Sequence, residues 1–322
     1  MLAVGTQEGV HLFDSGSGSP AGTALEECAI GGLCALPGAE PQVYAAARES
    51  GIFRLTPSGE WVNVLDGIDA RSVAVGGDGA IYAGAHPAAI YRSLDGGAQW
   101  EELSGLLDLP TAPTWNFPNP PHYGLVRSLD CSSLDAKTVY AGVEVGGVVI
   151  SNDGGDSWRD AREGMHIDVH SVTSVASGGS DTLYAATGKG FYRSRNAGST
   201  WESGCNGLLG LYMFPVAVHP DDPQTVFTAA SQGRPRYWRR RPEGAAAAIY
   251  RSRDGGERWE RAMGGLPETL EAAVDAITVD PADGSRVYAG TTKGQLMVSE
   301  TQGGTWDTIA EGLPIIHNIA VW

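Results

Sequence analysis

Lysine is nearly missing from this chain. Lys137, Lys189 and Lys293 are the only lysines among 22 basic residues, against 38 acidic ones, and the formal net charge over 322 residues is −16. Such a field repels polyanions, so nucleic acid and anionic membrane surfaces are poor partners. Long apolar runs are missing too: no stretch approaches the ~20 residues of a membrane-spanning helix, which argues against helical membrane insertion. Cysteine is sparse. Cys28, Cys34, Cys131 and Cys205 show no metal-type spacing and read as small buried residues of a reducing compartment. The opening residues MLAVGTQEGVHLF carry no basic leader region, so the expected location is cytoplasmic.

Glycine, in contrast, is abundant at 45 residues, as a turn-rich β protein requires. Many of these glycines belong to one repeated phrase, Ser-x-Asp-x-Gly-x-x-Trp. It occurs as SLDGGAQW (93–100), SNDGGDSW (151–158) and SRDGGERW (252–259), with worn copies SRNAGSTW (194–201) and SETQGGTW (299–306). Each copy follows a short apolar run and reads as a hairpin turn. The Asp side chain accepts from backbone N–H groups, the glycines supply positive φ, and the Trp opens the next strand and packs beneath the corner. The starts lie 58, 43, 58 and 47 residues apart. A period of about 40–50 residues, with four short strands per unit, is that of a propeller blade. In these phrases the chain resembles the Asp-box or BNR-repeat propellers, a group that includes sialidases, sortilin-type receptors, xyloglucan-cleaving hydrolases and photosystem assembly factors. The resemblance implies an architecture and is nearly silent about activity.

A second signal counts the blades. LAVG at Leu2, VYAA at Val43, IYAG at Ile81, VYAG at Val139, LYAA at Leu183, VFTA at Val226 and VYAG at Val287 make seven copies of one strand. They predict an all-β, seven-bladed propeller of four-stranded blades, as one domain over 1–322. The first unit lacks its innermost strand, and IIHNIAVW (315–322) is left over at the other end. Placing that segment in the first blade closes the ring and removes an open sheet edge. Two insertions break the period: the Pro-rich 107–124, and 231–247, which concentrates Arg234, Arg236, Arg239, Arg240 and Arg241.

In a propeller the starts of the innermost strands gather beside the axis on one face, and both insertions emerge there. Loops held on a rigid scaffold carry function. The strand starts offer Arg71, His122, His170, Tyr212, Asp275 and His317, and neighbouring loops add Arg48, His86, Glu144, His166 and Asp168. Imidazole beside carboxylate suits a divalent metal ion or proton transfer. The expected catalytic groups are therefore His122, His170, Glu144 and Tyr212, with His122, His170 and His317 as ligands of a divalent metal. Arg71, His86, Arg236 and Arg239 are expected to bind substrate, with Trp115 and Trp238 as stacking walls. The bland reading of each is a satisfied strand-end histidine, or a tryptophan that pins its own loop.

Two functions follow. One is a propeller binding a small polar molecule or carbohydrate at the channel mouth, as a hydrolase or a metal-dependent lyase. The alternative is a non-enzymatic interaction or assembly scaffold that docks a protein partner through 231–247. The chain departs from sialidases in lacking their Arg-Ile-Pro signature, and their three-arginine carboxylate clamp is not assembled from the strand starts. It also lacks the two-propeller length of the xyloglucan-cleaving enzymes.

Overall fold

The computed structural model describes residues 1–36, 38, 41–117 and 122–322. The second strand of each unit is buried on both faces, as in Leu2–Thr6 and Val139–Glu144, where every residue is buried. Such strands cannot lie on a half-exposed sheet and must be sandwiched between neighbours. Seven four-stranded antiparallel sheets do this by stacking around one axis, forming a seven-bladed β-propeller. The innermost strands of blades 1 to 7 are Ile316–Val321, Ile30–Leu36, Asp69–Val75, Leu125–Cys131, Val169–Ser177, Tyr212–Val218 and Val274–Val279.

The ring closes as the repeat predicts. Ile316–Val321 pairs antiparallel with Leu2–Thr6, setting Val4 opposite Ile319. The amino group of Met1 donates to the Trp322 carbonyl at 2.6 Å. Blade 7 meets this closing strand at Gly290, where a Cβ would overlap the Ile316 side chain.

The five repeated turns share one hydrogen-bond scheme. In the first, the Gly97 N–H donates to Ser93 Oγ and the Gln99 N–H to Asp95 Oδ1, each at 2.9 Å. The worn copies keep the second bond with substitutes: Asn196 Oδ1 accepts from the Thr200 N–H at 3.0 Å, and Thr301 Oγ1 from the Thr305 N–H at 2.8 Å. The turns also join blades. Arg54, Arg92 and Arg193 on one blade donate to the Gly96, Gly154 and Gly255 carbonyls of the next, at 2.9, 2.7 and 3.0 Å. The Trp259 indole N–H donates to Gly204 of the preceding blade at 2.7 Å, with its ring edge-on to Phe191. Both insertions carry short helical turns, Ala112–Thr114 and Pro235–Trp238. Residues 118–121 of the first insertion lie outside the described residues. The four cysteines are free and half-buried, and no helix among the described residues is long and apolar enough to cross a membrane.

Two outcomes follow from these corners. Trp259→Ala should cost about 3–5 kcal/mol, because it empties a buried junction between two blades; chemical denaturation measures this. In the second turn the Ser157 hydroxyl, the Ser157 N–H and Ser151 hold the Asp153 carboxyl down to about 2. A depressed carboxyl stabilises the fold above its ordinary titration range, and that contribution is lost as pH falls toward its folded value. Carboxyl-carbon NMR should therefore find Asp153 titrating near the foot of that range, and an ordinary midpoint would show that the turn does not grip it.

Candidate functional site

One irregularity recurs in every innermost strand. The pairing register skips a residue between Ile30 and Gly32, Ala70 and Ser72, Val126 and Ser128, Val169 and Ser171, and Val274 and Ala276. In blade 6 it skips from Met213 to Val216, and in blade 1 from Ile316 to Asn318. A β-bulge re-aims the side chain it leaves unpaired. The residues passed over are Gly31, Arg71, Arg127, His170, Phe214 with Pro215, Asp275 and His317. All of them line one cavity of about 450 Å³. The bulges therefore build the site, with one position of the ring contributed by each blade.

The cavity wall is strongly charged. Arg127 Nη1 lies 2.8 Å from Glu144 Oε2 and Nη2 lies 3.9 Å from Asp275 Oδ1, and the guanidinium sits over the Phe214 ring at 5.2 Å. Burial opposes the Arg127 charge, but Glu144 and Asp275 outweigh it and hold the group firmly protonated. Arg71 pairs with Asp69, which also lies 3.3 Å from His86 Nδ1. His317 has both ring nitrogens engaged, Nδ1 with Asp275 at 2.8 Å and Nε2 with Gln7 at 3.0 Å. Arg48 completes the arginine set on the wall. It makes no ion pair among the described residues, and its Nε is buried without a partner. Burial lowers its pKa, and Arg71 and Arg127 lower it further, against the weaker pull of Asp275 and Asp69.

His170 is the most enclosed group. Its Nδ1 hydrogen-bonds the Met213 carbonyl, and its ring packs on Tyr212 and Phe214 at 5.0 and 5.1 Å. Nε2 faces Asp168 at 3.5 Å and Glu144 at 3.9 Å. A backbone bridge between Glu144 and Asp168 brings these two carboxylates together. Burial acts to raise the Asp168 carboxyl, but His170, His166 and Arg127 outweigh it and hold it below the usual range.

The structure thus gathers Arg71, His86, Glu144, His170 and His317 on one wall. Tyr212 stands behind His170, its phenol pushed up by burial and then by Asp168. The other residues singled out from the sequence lie elsewhere. His122 is exposed and its ring bonds the Phe117 carbonyl at 3.0 Å. Trp115 is 5% exposed, inside the core between blades 3 and 4, so it offers no free ring face. The Trp238 indole bonds the Gln232 and Gly233 carbonyls, and its ring meets Tyr212 and Phe214 edge-on, pinning the insertion to the wall. Arg236 and Arg239 are exposed on that insertion. His122, His170 and His317 do not converge; the group at metal-ligand spacing among the described residues is Glu144, Asp168 and His170.

Two wall residues escaped the strand-start reading. In blades 4 and 6 it selected His122 and Tyr212, where the bulges present Arg127 and Phe214. A short signal marks the correct positions, an apolar residue, the bulged residue, a small or turn-forming residue and another apolar residue: IGGL, ARSV, VRSL, VHSV, MFPV, VDAI and IHNI. Three arginines therefore do meet at the axis, contrary to the expectation from strand starts, because Arg127 arrives by a bulge and Arg48 by a loop.

Removing Arg127 leaves the buried Glu144 without its cation. Arg127→Met should cost about 1–3 kcal/mol, the range for stranding a buried polar partner. The double variant Arg127→Met/Glu144→Gln should recover much of this in a denaturation cycle.

No protein-family model matches the chain, and no curated protein matches it in sequence. Solved structures do match. The GH74 enzyme of Niastella koreensis superposes with a TM-score of 0.65 at 17% identity, over 87% of this chain and 45% of that one. The GH74 xyloglucanase from Xanthomonas campestris gives 0.64 at 18% identity, over 96% and 46%. YCF48 from Cyanidioschyzon merolae gives 0.61 at 13% identity, over 88% and 86%. The chain spans less than half the length of these GH74 enzymes and is comparable in extent to YCF48. At these identities the likeness is one of fold.

Proposed function

We propose that this propeller binds a small organic anion, a sugar-sized molecule bearing a carboxylate, in the axial cavity. The observation that carries this is Arg48: a half-buried cation with no ion-pair partner among the described residues and a buried, unpartnered Nε, near two further guanidinium groups. An anion placed among Arg48, Arg71 and Arg127 relieves that repulsion, and guanidinium forks match a carboxylate in geometry. The cavity volume is that of a small-molecule site. His86 and Asp275 supply partners for ligand hydroxyls, with His317 orienting Asp275, and Glu144 and His170 are the groups for proton transfer if turnover follows binding. Charge, rather than an aromatic platform, defines the ligand, because both candidate stacking tryptophans are engaged elsewhere. The activity of the GH74 enzymes is not carried over, since this chain matches under half of each.

Isothermal titration with glucuronate, galacturonate and citrate, beside neutral glucose, tests this. The anions should bind and glucose should not. Arg48→Ala should weaken them by about 10- to 100-fold, the value of a hydrogen bond to a charged group, while Arg236→Ala/Arg239→Ala leaves them unchanged. Equal behaviour of anions and glucose would rule the proposal out.

A second reading rests on the insertion. Arg234, Arg236, Arg239 and Arg240 are exposed there and form no ion pair among the described residues, in a chain of net charge −16. An acidic protein segment would complement them, and a YCF48 structure of like fold is bound to D1 peptide. Retained affinity of the arginine-insertion variant for small anions, with loss of an acidic protein partner, would favour it.

A further inference from the structure

We infer a divalent transition-metal site formed by Glu144, Asp168 and His170, at the edge of the cavity that Glu144 and His170 line, a different set from the three histidines expected from the sequence. The three side chains each offer one ligand atom, and these atoms lie within 4.8 Å of one another. Their geometry points at a common centre. Nε2 of His170 is 3.5 Å from Asp168 Oδ1 and 3.9 Å from Glu144 Oε1. Two ligands of one tetrahedral ion, at metal–ligand lengths of about 2.0–2.2 Å, stand about 3.4 Å apart, so small side-chain rotations suffice.

The second observation is the state of His170. Its side chain is fully buried, and Nε2 has no hydrogen-bond partner. The Met213 carbonyl can only accept, so Nδ1 carries the proton of that hydrogen bond. One ring nitrogen donates to a carbonyl, which fixes the ring's orientation, and Nε2 is the atom aimed at the two carboxylates, the position at which a metal ion replaces the Nε2 proton. Gly188 supports the cradle, since a Cβ there would overlap the Asp168 carboxylate. Arg127 neutralises the far oxygen of Glu144 at 2.8 Å, leaving Oε1 for the ion. One nitrogen and two oxygens suit zinc or manganese rather than a soft thiophilic metal, and three protein ligands leave further coordination positions unfilled.

The inference does not rest on the anion proposal, and its test uses no organic anion. Chelator-treated protein, in a buffer free of carboxylates, is titrated with Co²⁺ and followed by visible absorption, and with Zn²⁺ by calorimetry. Wild type should take up about one equivalent with a cobalt d–d band, and gain thermal stability with metal as ligand linkage requires. Asp168→Asn and His170→Gln should each weaken binding at least about tenfold, and His122→Gln should bind as wild type. If His170→Gln fails to fold, the half-buried Asp168→Asn decides. Wild type binding no more cobalt than folded Asp168→Asn would overturn the site, as would loss of binding in His122→Gln.

Discussion

Everything at the axis depends on a pairing between the two ends of the chain. Ile316–Val321 completes the blade begun by Leu2–Thr6, and only a closed ring holds seven innermost strands around one cavity. An open sheet edge would leave backbone donors and acceptors unpaired, so closure is favoured by hydrogen bonding as well as by apolar contact. The tight seat of Ile316 against Gly290 shows how closely the last blade must approach. Farther out, arginine-to-carbonyl bonds and buried indoles join each repeated turn to a neighbouring blade, so the rim and the hub are braced separately.

Closure alone would give a channel lined by whatever the strand alternation presents. The bulges change this. A β-strand shows alternate residues to alternate faces, and both faces of a blade are needed for packing against other blades. An unpaired residue is released from that alternation and can turn to the axis without removing a packing residue. The core is thereby kept apolar while Arg71, Arg127, His170, Asp275 and His317 face one volume. The cost is electrostatic, since charges gathered in a partly buried wall must compensate one another. Arg127 is set between Glu144 and Asp275, and Asp69 between Arg71 and His86. Arg48 Nε and His170 Nε2, buried on this wall without hydrogen-bond partners among the described residues, are the atoms that point to ligands. An anion among arginines and a cation between carboxylates on adjoining parts of one wall are mutually compatible, because each lowers the repulsion the other would meet.

Much of the architecture was legible beforehand. Seven VYAG-like strands count the blades, the turn phrases locate their outer corners, and the surplus segment 315–322 identifies the closing strand. These signals are local: turn chemistry and strand burial act over a few residues and repeat with the period of the blade. The hub was legible in part. Arg71, His170, Asp275 and His317 are legible because their strands begin where the period places them. In blades 4 and 6 the Pro-rich insertion and the unusual strand Tyr212–Val218 hide the starting register, and one residue of register exchanges the two faces of a strand.

The sequence by itself determined the all-β repeat, the blade number, the closing strand and the acidic surface with its arginine-rich insertion, since each is written in short-range pattern or in composition. Only the tertiary structure decided which charged residues meet. Arg48, Arg71 and Arg127 come from three blades, and Glu144 reaches Asp168 and His170 across a blade boundary. Those distances depend on where each bulge falls and how closely the blades stack, quantities set by the packing of the whole ring rather than by any one segment of it.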